Sequence, residues 1–162
     1  AVQDCNIYYF EEPNTPVFYN NKYVKDNVKM PLAHGERVFG RWEYIRYFLD
    51  NSIQVIQPDI GNAGGITETK RICDMAYTFD VGVQIHTCAS HLLTPPSVQL
   101  EACIPNFVIH EQHMRSMNPS NMELTTKIVL PKNGYLDVTD EIGIGNQWSE
   151  KALASEDQIT LN

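Results

Sequence analysis

The chain has 162 residues with 20 acidic against 12 basic side chains, a net charge of −8, and 43% hydrophobic residues. That is the composition of a soluble globular protein of about one domain, and its acidity argues against nucleic acid or an anionic membrane as partner, since both require clustered Lys and Arg. No run approaches the roughly 18 apolar residues of a membrane span, and nothing at the N-terminus resembles a signal peptide.

Five short apolar or β-branched runs read as strands buried on both faces: 6–10 (NIYYF), 30–33 (MPLA), 54–57 (QVIQ), 82–85 (GVQI) and 107–109 (FVI). Helix-length stretches separate most of them. Residues 41–51 place Trp42, Ile45, Phe48 and Leu49 on one broad face. A second helix, capped by Thr67, is predicted to run to Phe79, with Ile72, Met75, Ala76 and Phe79 at helical spacing. Residues 96–103 form a third, shorter candidate. Strand followed by helix, repeated, predicts a parallel α/β sheet. The tail from 114 onward is turn-rich, with strand-like pieces broken by Pro131, Gly134 and Gly143.

An acid or histidine closes each strand, and these residues recur at one strand-helix unit: Glu11, Glu36, Asp59, His86 and Glu111 lie 25, 23, 27 and 25 positions apart. In a β/α barrel the C-terminal strand ends converge on one mouth, whereas a doubly wound sheet spreads them along an edge. The period therefore favours a barrel. A whole barrel takes roughly 250 residues, so about five of its eight units fit here. The chain also lacks an initiator methionine and enters a strand-like segment almost at once. Both features predict the C-terminal part of a longer protein.

Glu11 and Glu36 suit a hard cation such as Mg²⁺; the alternative is that either pairs with a surface Arg or Lys. Asp59 and His86 suit a general-base pair, the carboxylate fixing the imidazole tautomer. His34, His91, His110 and His113 are expected to be structural. The segment GNAGG (61–65) matches neither a P-loop nor GxGxxG, so its glycines are expected to shape a turn before a helix. HEQH (110–113) has one residue too few between Glu and the second His for a zinc-protease helix. Cys5, Cys73, Cys88 and Cys103 form no CxxC pair and are expected to be free thiols in a reducing cytoplasm.

FEEP (10–13), PLAHGER (31–37), QPDIGNAGGITE (57–68), QIH (84–86) and PNFVIHEQ (105–112) together resemble the enolase superfamily, in its mandelate racemase-like branch of sugar-acid dehydratases and racemases. The resemblance implies strands four to eight of a TIM-type (β/α) barrel over 1–113, with a C-terminal extension over 114–162 packing toward the capping region. It makes Glu11 and Glu36 metal ligands for Mg²⁺, Asp59 and His86 the catalytic dyad, and Glu111 a donor to a substrate carboxylate oxygen. The family's third metal aspartate, the groups of its second and third strands and its capping domain have no counterpart here. Ile85 stands where relatives have proline, and EIGIG (141–145) where they have PGLG.

The implied reaction is Mg²⁺-dependent dehydration of an aldonate-type sugar acid through an enediolate, giving a 2-keto-3-deoxy acid. Racemisation or epimerisation within the same branch, or a non-catalytic incomplete barrel, are the alternatives. The expected partners are a small sugar acid, the missing barrel strands and cap, and further copies in a homo-oligomer. The 162-residue stretch alone is expected to be inactive.

Overall fold

The computed structural model describes residues 2–88 and 90–155. Strand and helix alternate: β1 (Phe10–Glu11), α1 (Phe18–Asn27), β2 (Leu32–His34), α2 (Arg41–Leu49), β3 (Val55–Ile56), α3 (Gly65–Thr78), β4 (Gly82–Val83) and α4 (Thr94–Glu101). The four strands lie side by side in chain order and pair in parallel, with Glu11 against Ala33, Ala33 against Val55 and Val55 against Gly82. Parallel neighbours require a crossover, and α1, α2 and α3 supply it.

The ladder outruns the strands. Glu12 N donates to Ala33 O (3.0 Å), Gln57 N to His34 O (3.0 Å) and His86 N to Pro58 O (3.1 Å). Single bridges join Asp59 to His86 and Val83 to Phe107, which puts Phe107 in the place of a fifth strand. The fold is thus the α/β parallel arc of a partial barrel that the sequence predicted.

The chain divides into two compact units. The first holds the residues up to His86 together with Leu100–Glu111. Its core sets Leu32, Ala33, Val55, Ile56, Val83 and Ile85 from the sheet with Tyr44, Tyr47 and Phe48 of α2 and Ile72, Cys73 and Ala76 of α3. Each large apolar side chain so buried contributes about 1.5–3 kcal/mol. Gly82 lets β4 lie close against the segment bridged at Phe107, because a Cβ there would sit 2.6 Å from Val108 Cγ2.

Three local expectations need correction. The buried face of α2 is Tyr44, Tyr47 and Phe48, while Trp42 and Leu49 are 69% and 72% exposed. Arg41 stacks its guanidinium 4.3 Å above the Trp42 ring, which accounts for an exposed tryptophan. α3 begins at Gly65 after a left-handed Gly64 (φ 110°), so the glycine turn rather than Thr67 starts the helix. α1 was not foreseen, because its buried residue is the polar Asn21, whose Nδ2 donates to Ser52 O at 2.5 Å.

The second unit holds Thr87–Gln99 and the chain from Gln112 onward. Short helices span Met114–Met117 (3₁₀), Pro119–Met122 (α5) and Glu150–Ser155 (α6). The strand-like tail forms no strand among the described residues; it is reduced to single bridges, Thr125 with Trp148 and Lys132 with Tyr135. His91 is fully buried and structural, Nε2 donating to Ser116 O (2.8 Å) and Nδ1 accepting from Val129 N (3.2 Å). Asn146 Nδ2 closes the same knot on His91 O (2.9 Å) and Lys127 O (3.0 Å).

Candidate active site

All five residues singled out by the strand-end spacing belong to the first unit. Asp59 follows β3 and is 5% exposed. Its Oδ1 accepts from Gly61 N (2.7 Å) and Asn62 N (3.2 Å), and Asp59 O accepts from Ala63 N (2.7 Å). The start of the glycine segment thus closes as a turn around the aspartate. Gly64 and Gly65 both take positive φ, 110° and 84°, and an added Cβ at Gly65 would meet nothing within 4 Å. Conformation, not a ligand cradle, is what requires glycine there.

Fixing Oδ1 in the turn aims Oδ2 at the next strand end. His86 Nδ1 lies 2.7 Å from Asp59 Oδ2, and its other nitrogen, Nε2, lies 3.0 Å from Glu36 Oε2. The ring therefore bridges two carboxylates. Burial lowers the imidazole's pKa, but the contact with Asp59 and the nearby charges of Glu111 and Glu36 outweigh it and raise the value above the ordinary one.

Glu11 at the end of β1 is exposed. Local desolvation nonetheless raises its pKa; contact with the Gln57 amide works the other way, and repulsion from Glu111, Glu36 and Glu12 adds to the rise. Mutual repulsion is what a set of carboxylates at one mouth produces, and a cation relieves it. Glu11 and Glu36 offer the hard oxygen donors Mg²⁺ prefers, so they fit that ion in kind. Among the described residues, however, no three His, Cys, Asp or Glu side chains gather closely enough to hold a metal by themselves.

Residues two positions before the acids were missed. Strand side chains alternate, so Tyr9, Gln57 and Gln84 share the face of Glu11, Asp59 and His86. Tyr9 Oη donates to Gln84 Oε1, and burial followed by the charges of Glu11 and Glu111 raises the phenol's pKa. Gln57 and Gln84 are 1% and 4% exposed. Polar residues buried at alternate positions of otherwise apolar strands were the signal available in the sequence.

The second glutamate of FEEP was missed too. Glu12 holds Arg37 through Oε2, with Nε at 2.9 Å, while Oε1 accepts from Gly35 N (3.2 Å) and lies 2.5 Å from Nδ1 of the fully buried His34. Burial would raise the Glu12 carboxyl's pKa, but the contacts with His34 and Arg37 prevail and lower it. Of the two glutamates of FEEP, Glu12 is thus the one that pairs with Arg37. His110 pairs through Nδ1 with the buried Glu101 at 2.7 Å, a structural role, and HEQH forms no helix.

A parallel α/β arc with acids and a histidine just past successive strands has the arrangement in which a β/α barrel places its active site. A sequence profile described as enolase C-terminal domain-like matches residues 1–152, and the chain belongs to that family. It is 31% identical over 157 residues to a D-galactonate dehydratase of Pectobacterium atrosepticum, covering 88% of this chain and 41% of that protein. A D-xylonate dehydratase of Haloferax volcanii is 27% identical over 145 residues, 89% of this chain and 35% of its own length. Among solved structures, a member of the enolase superfamily from Salmonella Typhimurium superposes with a TM-score of 0.95 at 41% identity, covering 99% of this chain and 42% of the other. An enolase from Agrobacterium radiobacter, bound to Na and L-malate, gives 0.78 at 29% identity, with 95% and 42% covered. The chain thus spans about two fifths of the length of these relatives. No helix among the described residues is long and apolar enough to cross a membrane.

Proposed function

We propose that this chain is part of a Mg²⁺-dependent dehydratase of an aldonate-type sugar acid, a hydro-lyase working through an enediolate. Residues 1–113 would supply part of its barrel and 114–162 an extension toward a capping region, with the other strands and the cap coming from the rest of a longer protein. The observation that carries the reading is the Asp59–His86 contact at 2.7 Å on neighbouring strand ends, with Glu36 at 3.0 Å from the other ring nitrogen. The named relatives, dehydratases of D-galactonate and D-xylonate, support the substrate class.

Each residue has a distinct task. Asp59 holds the proton on His86 Nδ1, which leaves Nε2 as the atom that takes the α-proton of the bound acid. Substrate must take the place of Glu36 Oε2 in front of Nε2 for that transfer. Glu11 and Glu36 would hold Mg²⁺, which when bound offsets the negative charge developing on the substrate carboxylate. Glu111 would hydrogen-bond a carboxylate oxygen of the substrate as charge grows there. The β-hydroxyl then leaves as water, and tautomerisation gives the 2-keto-3-deoxy acid. Cys5, Cys73 and Cys103 as free thiols suit a reducing compartment, and a homo-oligomer in the cytoplasm is the setting we propose.

The test is to incubate the longer protein with Mg²⁺ and a panel of aldonates and assay 2-keto acid. Keto product on any member supports dehydration. Inversion of the α-carbon without keto product would replace it by racemisation, and neither outcome on any acid would leave a non-catalytic relative.

A further inference from the structure

Glu36, proposed above as a cation ligand, follows β2 between Gly35 and Arg37, and both of those neighbours are held by one carboxylate. Glu12 accepts from Gly35 N (3.2 Å), lies 2.5 Å from the ring of the fully buried His34, and grips Arg37 through Nε (2.9 Å) and Nη2. From the opposite side, Tyr44 Oη, fully buried on α2, donates to Gly35 O at 2.7 Å. Gly35 itself has no room for a side chain: a Cβ would sit 2.7 Å from both Gln57 N and Tyr44 Oη. Glu12 reaches Gly35 and Arg37 because its backbone takes φ 45°, uncommon for a residue with a side chain, while its N–H still extends the ladder to Ala33 O. A strained conformation persists where surrounding contacts over-determine it, and here four do.

Resting on the functional reading above, we infer that Glu12 is the positioning residue for Glu36: it clamps the residues on both sides of Glu36, so that the carboxylate is aimed at the barrel mouth before any cation arrives. Glu12 touches neither substrate nor cation in this role. Its contribution is preorganisation, and removal of partners that orient a ligand costs about 10–100-fold in metal affinity.

The experiment uses the longer protein, with Mg²⁺ alone as the probe, in wild type, Glu12→Gln and Arg37→Gln. Glutamine at 12 keeps an acceptor for Gly35 N but turns an NH₂ toward the Arg37 fork. Arg37→Gln, at an exposed position, removes the fork and a 3.3 Å contact with Asn14 O and leaves the core untouched. Calorimetric titration is expected to show Mg²⁺ affinity falling at least about tenfold in Glu12→Gln, and by a smaller factor in Arg37→Gln, which leaves the other Glu12 contacts in place. The rise in Tm on adding a fixed Mg²⁺ concentration should shrink in the same order. A merely structural Glu12 would lower Tm equally with and without Mg²⁺ and leave affinity unchanged. Affinity within twofold of wild type in Glu12→Gln, or in Arg37→Gln should Glu12→Gln fail to fold, overturns the proposal while leaving the functional reading intact. A wild type that binds no Mg²⁺ overturns both.

Discussion

Replacing Asp59 with asparagine should abolish turnover while leaving the fold standing, and the structure says why. Oδ1 is committed to Gly61 N (2.7 Å) and Asn62 N (3.2 Å), both donors, so the asparagine must place its carbonyl oxygen there. The amide NH₂ is then forced to face His86 Nδ1, where Oδ2 stood at 2.7 Å. Two donors cannot share that contact, so the ring proton moves to Nε2 and the atom that must accept the α-proton is occupied. An aspartate-to-asparagine change that imposes the wrong tautomer in a comparable dyad costs about 10⁴ in kcat. At about 1.4 kcal/mol per decade, that is roughly 5 kcal/mol of barrier. The stability cost is smaller, about 1.5–3 kcal/mol for one hydrogen bond involving a charged group, since the turn keeps its acceptor. Keto-acid formation by the longer protein with Mg²⁺, together with ¹⁵N NMR of the His86 tautomer and a denaturant midpoint, measures all three. A variant keeping more than a tenth of the wild-type kcat, or a His86 still protonated at Nδ1, would refute the reasoning.

Gly35→Ala should lower stability by about 1–3 kcal/mol in a denaturant melt, since the new Cβ overpacks against Gln57 N and Tyr44 Oη, both at 2.7 Å. Ile72→Ala, at a fully buried position on α3, should cost about 2–5 kcal/mol in the same assay. Burial pushes the Cys73 thiol up to about 12, so it should stay unreactive toward a disulfide reagent at pH 8 until the protein unfolds, whereas the exposed Cys5 and Cys103 react at once. The folded pKa of Glu101 is raised by burial against an opposing contact with His110. It therefore costs nothing while protonated and subtracts stability as pH rises from the ordinary carboxylate range through the folded value. Relative to Glu101→Gln, wild-type stability should fall across that interval and run parallel above it.

Three of the strands, β2 to β4, were legible because short β-branched runs bounded by turns have few other readings, whereas the first run, 6–10, meets β1 only at Phe10 and the fifth, 107–109, is reduced to a single bridge at Phe107. The five strand-end residues were legible because one strand-helix unit sets their period, and the structure brings Asp59, His86 and Glu36 into direct contact. What escaped notice was polar. α1 buries Asn21 instead of an apolar stripe, and α2 buries two tyrosines while exposing Trp42 and Leu49, so hydrophobic periodicity pointed to the wrong residues. The clamp from Glu12 to 34–37 joins residues more than twenty positions apart and depends on a positive φ, which no local pattern announces. Tyr9 and Gln84 form a contact across 75 positions, visible beforehand only as polar residues at alternate strand positions.

In the function proposed above, the task of His86 is removal of a proton from the carbon next to a carboxylate. It is tested most directly with an aldonate carrying deuterium at that carbon, following label release to solvent by the longer protein with Mg²⁺. Wild type should release label and His86→Asn none above background, with both proteins folded. Release by His86→Asn at the wild-type rate would contradict it.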